Sequence, residues 1–242
     1  MLALTGLALA VIFASAALFS GLGTRWNIWH FRTGLSVLRY AAYGEAAVVL
    51  ISLSVCVIAA YKRVWNVFAV SLTGLLIGAA VFSVPFNWGR TAKSVPPIHD
   101  ITTDTEDPPQ FSAVLALRKD ALNPAEYGGQ EISVLQRAAY PDIRPVLLDV
   151  PTEQVFELSL KTARKMGWDI VNADKDKGLI EATDTTFWFG FKDDIVIRIS
   201  QEIRGSRIDL RSVSRAGKSD VGTNARRIRN FVKELEKEAV KP

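Results

Sequence analysis

Three long stretches without charge near the start of the chain restrict its architecture more than any other feature. Residues 1–24 contain no charged side chain, and 7–22 are Ala, Leu, Val, Ile, Phe and Ser throughout, apart from Gly21. Residues 46–61 and 64–89 are likewise uncharged. An α-helix rises 1.5 Å per residue, so about 20 apolar residues cross roughly 30 Å of hydrocarbon. Each stretch therefore predicts a membrane-spanning helix. The second is short and is expected to begin near Ala41, with Glu45 one turn inside the headgroup zone. A cleaved signal peptide ending at Ala14-Ser15-Ala16 would need a cationic segment ahead of the apolar run, and none is present. Trp26, Trp29, Tyr40, Tyr43, Tyr61, Trp65 and Trp88 fall near predicted span ends, where amphipathic rings prefer to lie. No charge is expected in the middle of any span, which argues against a transporter.

Charge divides the chain into two parts. Ahead of Ser94 there are seven Lys/Arg and one acidic residue, Glu45; from Ser94 onward there are 22 Lys/Arg and 24 Asp/Glu. The high pI of 9.2 thus belongs to the membrane part and does not indicate nucleic-acid binding. Cys56 is the only cysteine, and His30 and His99 are the only histidines. A disulfide within the chain and a cysteine-based zinc site are excluded, and most histidine-dependent catalysis with them.

Three spans put the two termini on opposite sides. Arg25, Arg32, Arg39, Arg90 and Lys93 then share one side, against Lys62 and Arg63 on the other. That bias favours a cytoplasmic C-terminal domain. Residues 26–40 are amphipathic enough to lie along the interface, where their arginines could meet lipid phosphates on either side.

The sequence divides as 1–93, a three-helix transmembrane region; 94–150, an extended proline-rich lead-in and irregular segment; and 151–242, an α+β soluble core domain. Four prolines within 94–110 rule out helix there. His99, Asp100, Asp104, Glu106 and Asp107 read as a solvated acidic loop, since the spacing and glycine of a calcium loop are absent. In the core domain Thr152 predicts a helix N-cap, Val155, Phe156, Leu160 and Ala163 recur at helical spacing, and Gly167 supplies the stop. Strands are predicted over 168–171, 179–191, around Ile195, Ile197 and Ile199, and over 207–215. A last helix is predicted over 219–238, with Val221, Ala225, Ile228, Val232 and Leu235 on one stripe. The order α-β-β-β-β-α suggests an antiparallel sheet with helices packed on it, a two-layer α+β domain.

Residues 211–228 run Arg-Ser-Val-Ser-Arg-Ala-Gly-Lys-Ser-Asp-Val-Gly-Thr-Asn-Ala-Arg-Arg-Ile. This resembles the R-S-x-S-R-x-G-x-S-D-x-G-x-N-A-x-R-I signature of the DUF1499 family, and residues 97–104 resemble that family's opening segment. The resemblance covers about residues 96–235. It implies no chemistry, because the family is defined as being of unknown function. Members that look like exported or lumenal proteins imply a domain outside the cytosol, here at a bacterial inner membrane with the soluble part periplasmic. The charge bias gives the cytoplasmic alternative.

On the predicted fourth strand Arg207, Asp209, Arg211, Val213 and Arg215 share the face opposite Ile208 and Leu210. That face leads into Gly217-Lys218-Ser219-Asp220 and a helix start, where free N–H groups and the dipole favour anions. Arg211, Ser212, Ser214, Arg215, Lys218, Ser219, Asp220, Gly222 and Asn224 are therefore the candidate ligand-binding residues. The competing reading pairs the arginines with Asp209, Glu202 or Glu181 and leaves Ser219 or Asp220 as a cap. Phe187, Trp188, Phe189 and Phe191, taken as strand, alternate between core and surface. Two functions follow as expectations. The first is a non-enzymatic membrane protein binding an anionic ligand, a lipid headgroup or an envelope protein partner, without cofactor, metal or nucleic acid. The second is a membrane-tethered hydrolase or transferase using carboxylates, for which Asp184 or Asp220 would need a second carboxylate in a pocket.

Overall fold

A computed structural model describes residues 1–239 and resolves two compact units. One comprises Met1–Thr91 with Phe187–Gly190, the other Ala92–Thr186 with Phe191 onward.

The first unit holds three helices long and apolar enough to cross a membrane: α1 (Leu2–Arg25), α2 (Phe31–Tyr61) and α3 (Trp65–Ser94). Small residues form the contacts. Ala3, Gly6, Ala10 and Ala17 of α1 are buried, as are Ala41, Ala42, Val48 and Ser52 of α2 and Ser71, Gly74 and Gly78 of α3. Lipid tails are as apolar as leucine, so close backbone approach rather than burial of bulk drives such packing. Two expectations are corrected here. Residues 31–40 are the first turns of α2, not a separate interfacial segment, and α2 is longer than the span starting near Ala41. Glu45 is the fifteenth of the 31 residues of α2 and fully buried. Its neighbour Gly44 packs on the ring of Phe13, halfway along α1, which puts Glu45 deep in the bundle rather than at its rim.

The second unit is built on an antiparallel sheet. Its strands are β1 (Asp100–Thr102), β2 (Val146–Leu148), β3 (Asp169–Asp174), β4 (Leu179–Thr185), β5 (Lys192–Gln201) and β6 (Ser206–Ser214). They lie in the order β1-β6-β5-β4-β3, and β2 pairs with β6 beyond β1, so the two short strands share one edge. Helices α5 (Thr152–Lys165) and α6 (Thr223–Ala239) cover one face, while α4 (Gly129–Ala139) holds Thr102 at the edge through the Gln136 amide. Ile180, Ala182, Ile195, Ile197, Ile199, Ile208 and Leu210 meet Val155, Phe156, Ala225, Ile228, Phe231 and Leu235 in the main core. Trp168 stacks on Phe231 with centroids 5.3 Å apart. Full burial of a side chain such as Phe231 stabilises by about 1.5–3 kcal/mol. The α+β class, the antiparallel sheet on helices and the alternation of Ile195, Ile197 and Ile199 are all observed.

Several local expectations fail for identifiable reasons. Residues 94–150 are not merely extended: they supply two strands of the sheet and α4, and their segment around a 3-10 turn (Ala113–Leu117) covers the second sheet face, where Phe111 and Val114 meet Val196 and Val213. The strand predicted over 179–191 ends at Thr185. Thr186 N–H donates to Phe191 O (2.8 Å) and Gly190 has φ 67°, so 186–191 is a loop and the aromatic alternation does not arise. Phe189 is buried, Phe187 is exposed, and Trp188 Nε1 donates to Leu18 O within the first unit. Thr152 begins α5 after Pro151 rather than capping it. Helix α6 starts at Thr223, not Ser219, because Val221 (φ 53°) and Gly222 (φ 74°) are both left-handed.

Candidate functional site

The alternation predicted for β6 puts Arg207, Asp209, Arg211, Val213 and Arg215 on the face away from α5 and α6. That face is covered, and its arginines are engaged. Arg211 is fully buried. Its Nε and Nη2 donate to Asp100 Oδ1 (3.0 Å) and Oδ2 (2.8 Å), and further bonds reach Pro109 O (3.2 Å) and Ala125 O (2.7 Å). The guanidinium lies over the rings of Phe111 (5.2 Å) and Tyr127 (5.5 Å). The Tyr127 hydroxyl is buried without a hydrogen-bond partner. Burial and the nearby Asp100 push its pKa up to about 12.

Arg215 donates to both oxygens of Asp194 (2.9 and 2.7 Å) and to Leu117 O. Arg118, from the lead-in, pairs with the same Asp194 and also donates to Asn123 O. Arg198 and Arg207 converge on Asp209 and Asp104, and Arg198 also meets Asp107. On the helix side Arg227 joins Asp184 to Asp193. Six arginines (118, 198, 207, 211, 215, 227) thus face seven aspartates (100, 104, 107, 184, 193, 194, 209), so each of these arginines already has a carboxylate partner within the chain. The acidic lead-in is solvated only in part: Asp100 and Asp104 are covered and pair with arginines of the sheet, while Asp107 and Glu106 stay exposed, paired with Arg198 and with Arg137 of α4. Among the described residues no group of three or more His, Cys, Asp or Glu is placed to hold a metal ion.

The other signature residues form a second network. Ser212 and Ser214 point to the helix side, where Ser212 Oγ donates to Asn224 Oδ1 (2.8 Å). Asn224 Nδ2 donates to His99 O (2.9 Å) and Ser214 Oγ (3.0 Å), and Arg227 donates to Asn224 and Ser212. One asparagine thereby ties β6, α6 and the segment entering β1 together. Asp220 accepts from Gly222 N (2.8 Å) and Asn224 N (2.7 Å), so a carboxylate of the chain itself occupies the helix start. Burial pushes this carboxyl above the usual range, against the pull of those two N–H groups. Ser219 Oγ accepts from Val221 N, and Lys218 is exposed. The nine candidates are thus divided between the two faces of the sheet and the start of α6, and all but the exposed Lys218 make hydrogen bonds within the domain. Glu181, assigned no such role from sequence, is fully buried and accepts from Ser112 N, Ser112 Oγ, Ala113 N and Val114 N, which caps the 3-10 turn.

A groove of about 400 Å³ lies elsewhere, between α6 and the chain entering β2. Ile143, Val146, Leu147, Ile228 and Val232 supply its apolar lining, and Arg144, Arg229, Lys233, Asp142 and Glu236 its charges. Leu147 is 66% exposed. Arg229 is bound in a two-pronged pair to Asp142 (2.6 and 2.7 Å), which holds that carboxyl below its usual range, whereas Arg144 and Lys233 are exposed. The sequence carried a usable signal here, since Val-Leu-Leu after Pro145 is a short edge-strand pattern.

The architecture defines a class: three helices suited to a membrane, joined to an α+β domain in which residues 211–228 form a set of internal ion pairs and hydrogen bonds. A family model described as "Protein of unknown function (DUF1499)" matches residues 100–235, more than half of the chain, and the chain belongs to that family. No curated protein matches it.

Proposed function

We propose that this is a membrane-anchored, non-enzymatic docking protein whose soluble domain receives an extended, acidic-apolar polypeptide segment in the groove between α6 and β2. The observation that carries this reading is the groove itself. It sits beside a three-residue edge strand bonded to the sheet on one side, has an apolar lining with Leu147 exposed, and is rimmed by Arg144 and Lys233. These are two exposed cations against the one exposed carboxylate of Glu236, once Arg229 and Asp142 pair with each other. Edge strands bind extended peptides through the main chain, with pockets selecting alternate side chains. The signature arginines do not serve as the anion site in this reading, because each is matched by a carboxylate.

The test is peptide selection on the full chain held in nanodiscs, followed by titration of the selected sequences. Acidic-apolar peptides should bind, and L147D and R144E/K233E should each abolish binding while R226Q leaves it unchanged. Selection of no peptide, or binding indifferent to those changes, overturns the reading. Binding of a short-chain anionic phospholipid instead, lost in R144E/K233E, would favour a headgroup site.

We place the docking domain on the extracytoplasmic side of a bacterial inner membrane, supported by the exported look of family members and opposed by the five-to-two cation bias. Reporters active only outside or only inside the cytosol, fused after Pro242, decide it. A signal from the cytosolic reporter alone would reverse this placement.

A further inference from the structure

One carboxylate in the helical unit has no visible means of carrying its charge. Glu45 is fully buried, and neither carboxyl oxygen has a hydrogen-bond partner. It lies against α3 at Gly78, where an added Cβ would sit 3.1 Å from Glu45 Oε2 and 3.0 Å from Val49 Cγ2. A side chain there would press on the carboxyl and on Val49, so the glycine leaves the room that Glu45 occupies. Small and polar residues continue along the same seam. Gly74 approaches Ser52, with an added Cβ 3.3 Å from its Oγ, and the buried Ser71 hydroxyl is also without a partner.

No cation faces this carboxyl from any element packed on it. Helix α1 has no charged side chain before Arg25, and α3 has none before Arg90. On α2 itself Arg32 and Arg39 are exposed, and the other titratable group of the buried seam is Cys56, three turns away. A carboxylate left in apolar surroundings without a counter-ion takes up a proton rather than bear the desolvation. Ionisable groups inside transmembrane segments typically mark ion or proton sites.

We propose that Glu45 is a proton-binding site within the membrane, its neutral carboxyl held between α2 and α3 by the gap at Gly78. This is independent of the docking groove, which lies in the other unit. It also bears on the expectation that no charge lies in the middle of any span, since Glu45 lies midway along α2.

The test uses the full chain reconstituted in vesicles. The infrared spectrum near neutral pH should show the carbonyl stretch of a protonated carboxyl free of strong hydrogen bonds, missing in E45Q. A membrane-soluble carbodiimide, which attacks protonated carboxyls in apolar surroundings, should label Glu45, with the rate rising as pH falls. Peptide mass mapping should find that label gone in E45Q, and a water-soluble carbodiimide should not replace it. The wild-type spectrum near neutral pH and the label mapped to Glu45 in wild type stand even if E45Q folds poorly. An ionised carboxylate near neutral pH, or labelling of Glu45 by the water-soluble reagent alone, overturns the proposal. Protection by sodium at constant pH overturns it too, in favour of a metal cation.

Discussion

Replacing Arg211 by glutamine separates a structural arginine from a ligand-binding one. The substitution removes two hydrogen bonds to Asp100 (3.0 and 2.8 Å), one to Pro109 O (3.2 Å) and one to Ala125 O (2.7 Å). It also removes the guanidinium over Phe111 and Tyr127. Asp100, itself buried, then loses its counter-ion. Breaking a buried pair from one side costs about 3–5 kcal/mol, a large share of a typical domain stability of about 5–15 kcal/mol. An arginine kept at the surface for a ligand would cost under about 1 kcal/mol. The assay is pulse proteolysis of the soluble unit across a urea series, in the full chain held in detergent, so that the membrane helices do not enter the transition. D100N and the double variant complete a cycle, in which residues in direct contact should couple by about 0.5–3 kcal/mol. Swapping the pair for R211M/D100L should recover much of the loss, since an apolar pair escapes the desolvation penalty. An R211Q protein within about 1 kcal/mol of wild type would refute the argument that the signature's arginine is structural.

Other consequences follow from the same geometry. E181Q keeps shape but presents an amide to four donors, and should lower stability by about 2–3 kcal/mol in the same assay. V221G relieves a β-branched residue at φ 53° and should raise stability by up to about 1 kcal/mol, whereas V221I should not. Burial raises the Asp220 carboxyl, so the folded state binds its proton more tightly than the unfolded state does. Its contribution is then fully present below the ordinary carboxylate pKa of about 3.9 and is lost as pH rises through the raised folded value. D220N should flatten that part of the urea midpoint against pH, and an unchanged slope would contradict it. Asp142, held low by Arg229, acts in the opposite sense and loses its small exposed contribution as pH falls through the folded value, an effect R229Q should remove.

Periodicity alone was enough for much of this protein. Uncharged runs of membrane length set the three helices, and period-two alternation in 195–199 and 207–215 set which face of each strand meets the helices, because one-residue slips would expose isoleucine. The long signature was enough for the family. Partners distant in the chain were not legible: Asp100 is 111 residues from Arg211 and Glu181 is 69 from Ser112, and no local pattern encodes which carboxylate an arginine will meet. The aromatic run 187–191 read as strand because its composition is β-forming, while the turn at Gly190 is a backbone property. Arginines aligned on a strand look the same in sequence whether they face solvent or a covering segment. Only the fold of 100–127 over the sheet decided that they are buried pairs, and only the crossing of α2 on α3 at Gly78 left Glu45 without a counter-ion, since burial and charge compensation depend on what the rest of the chain brings alongside.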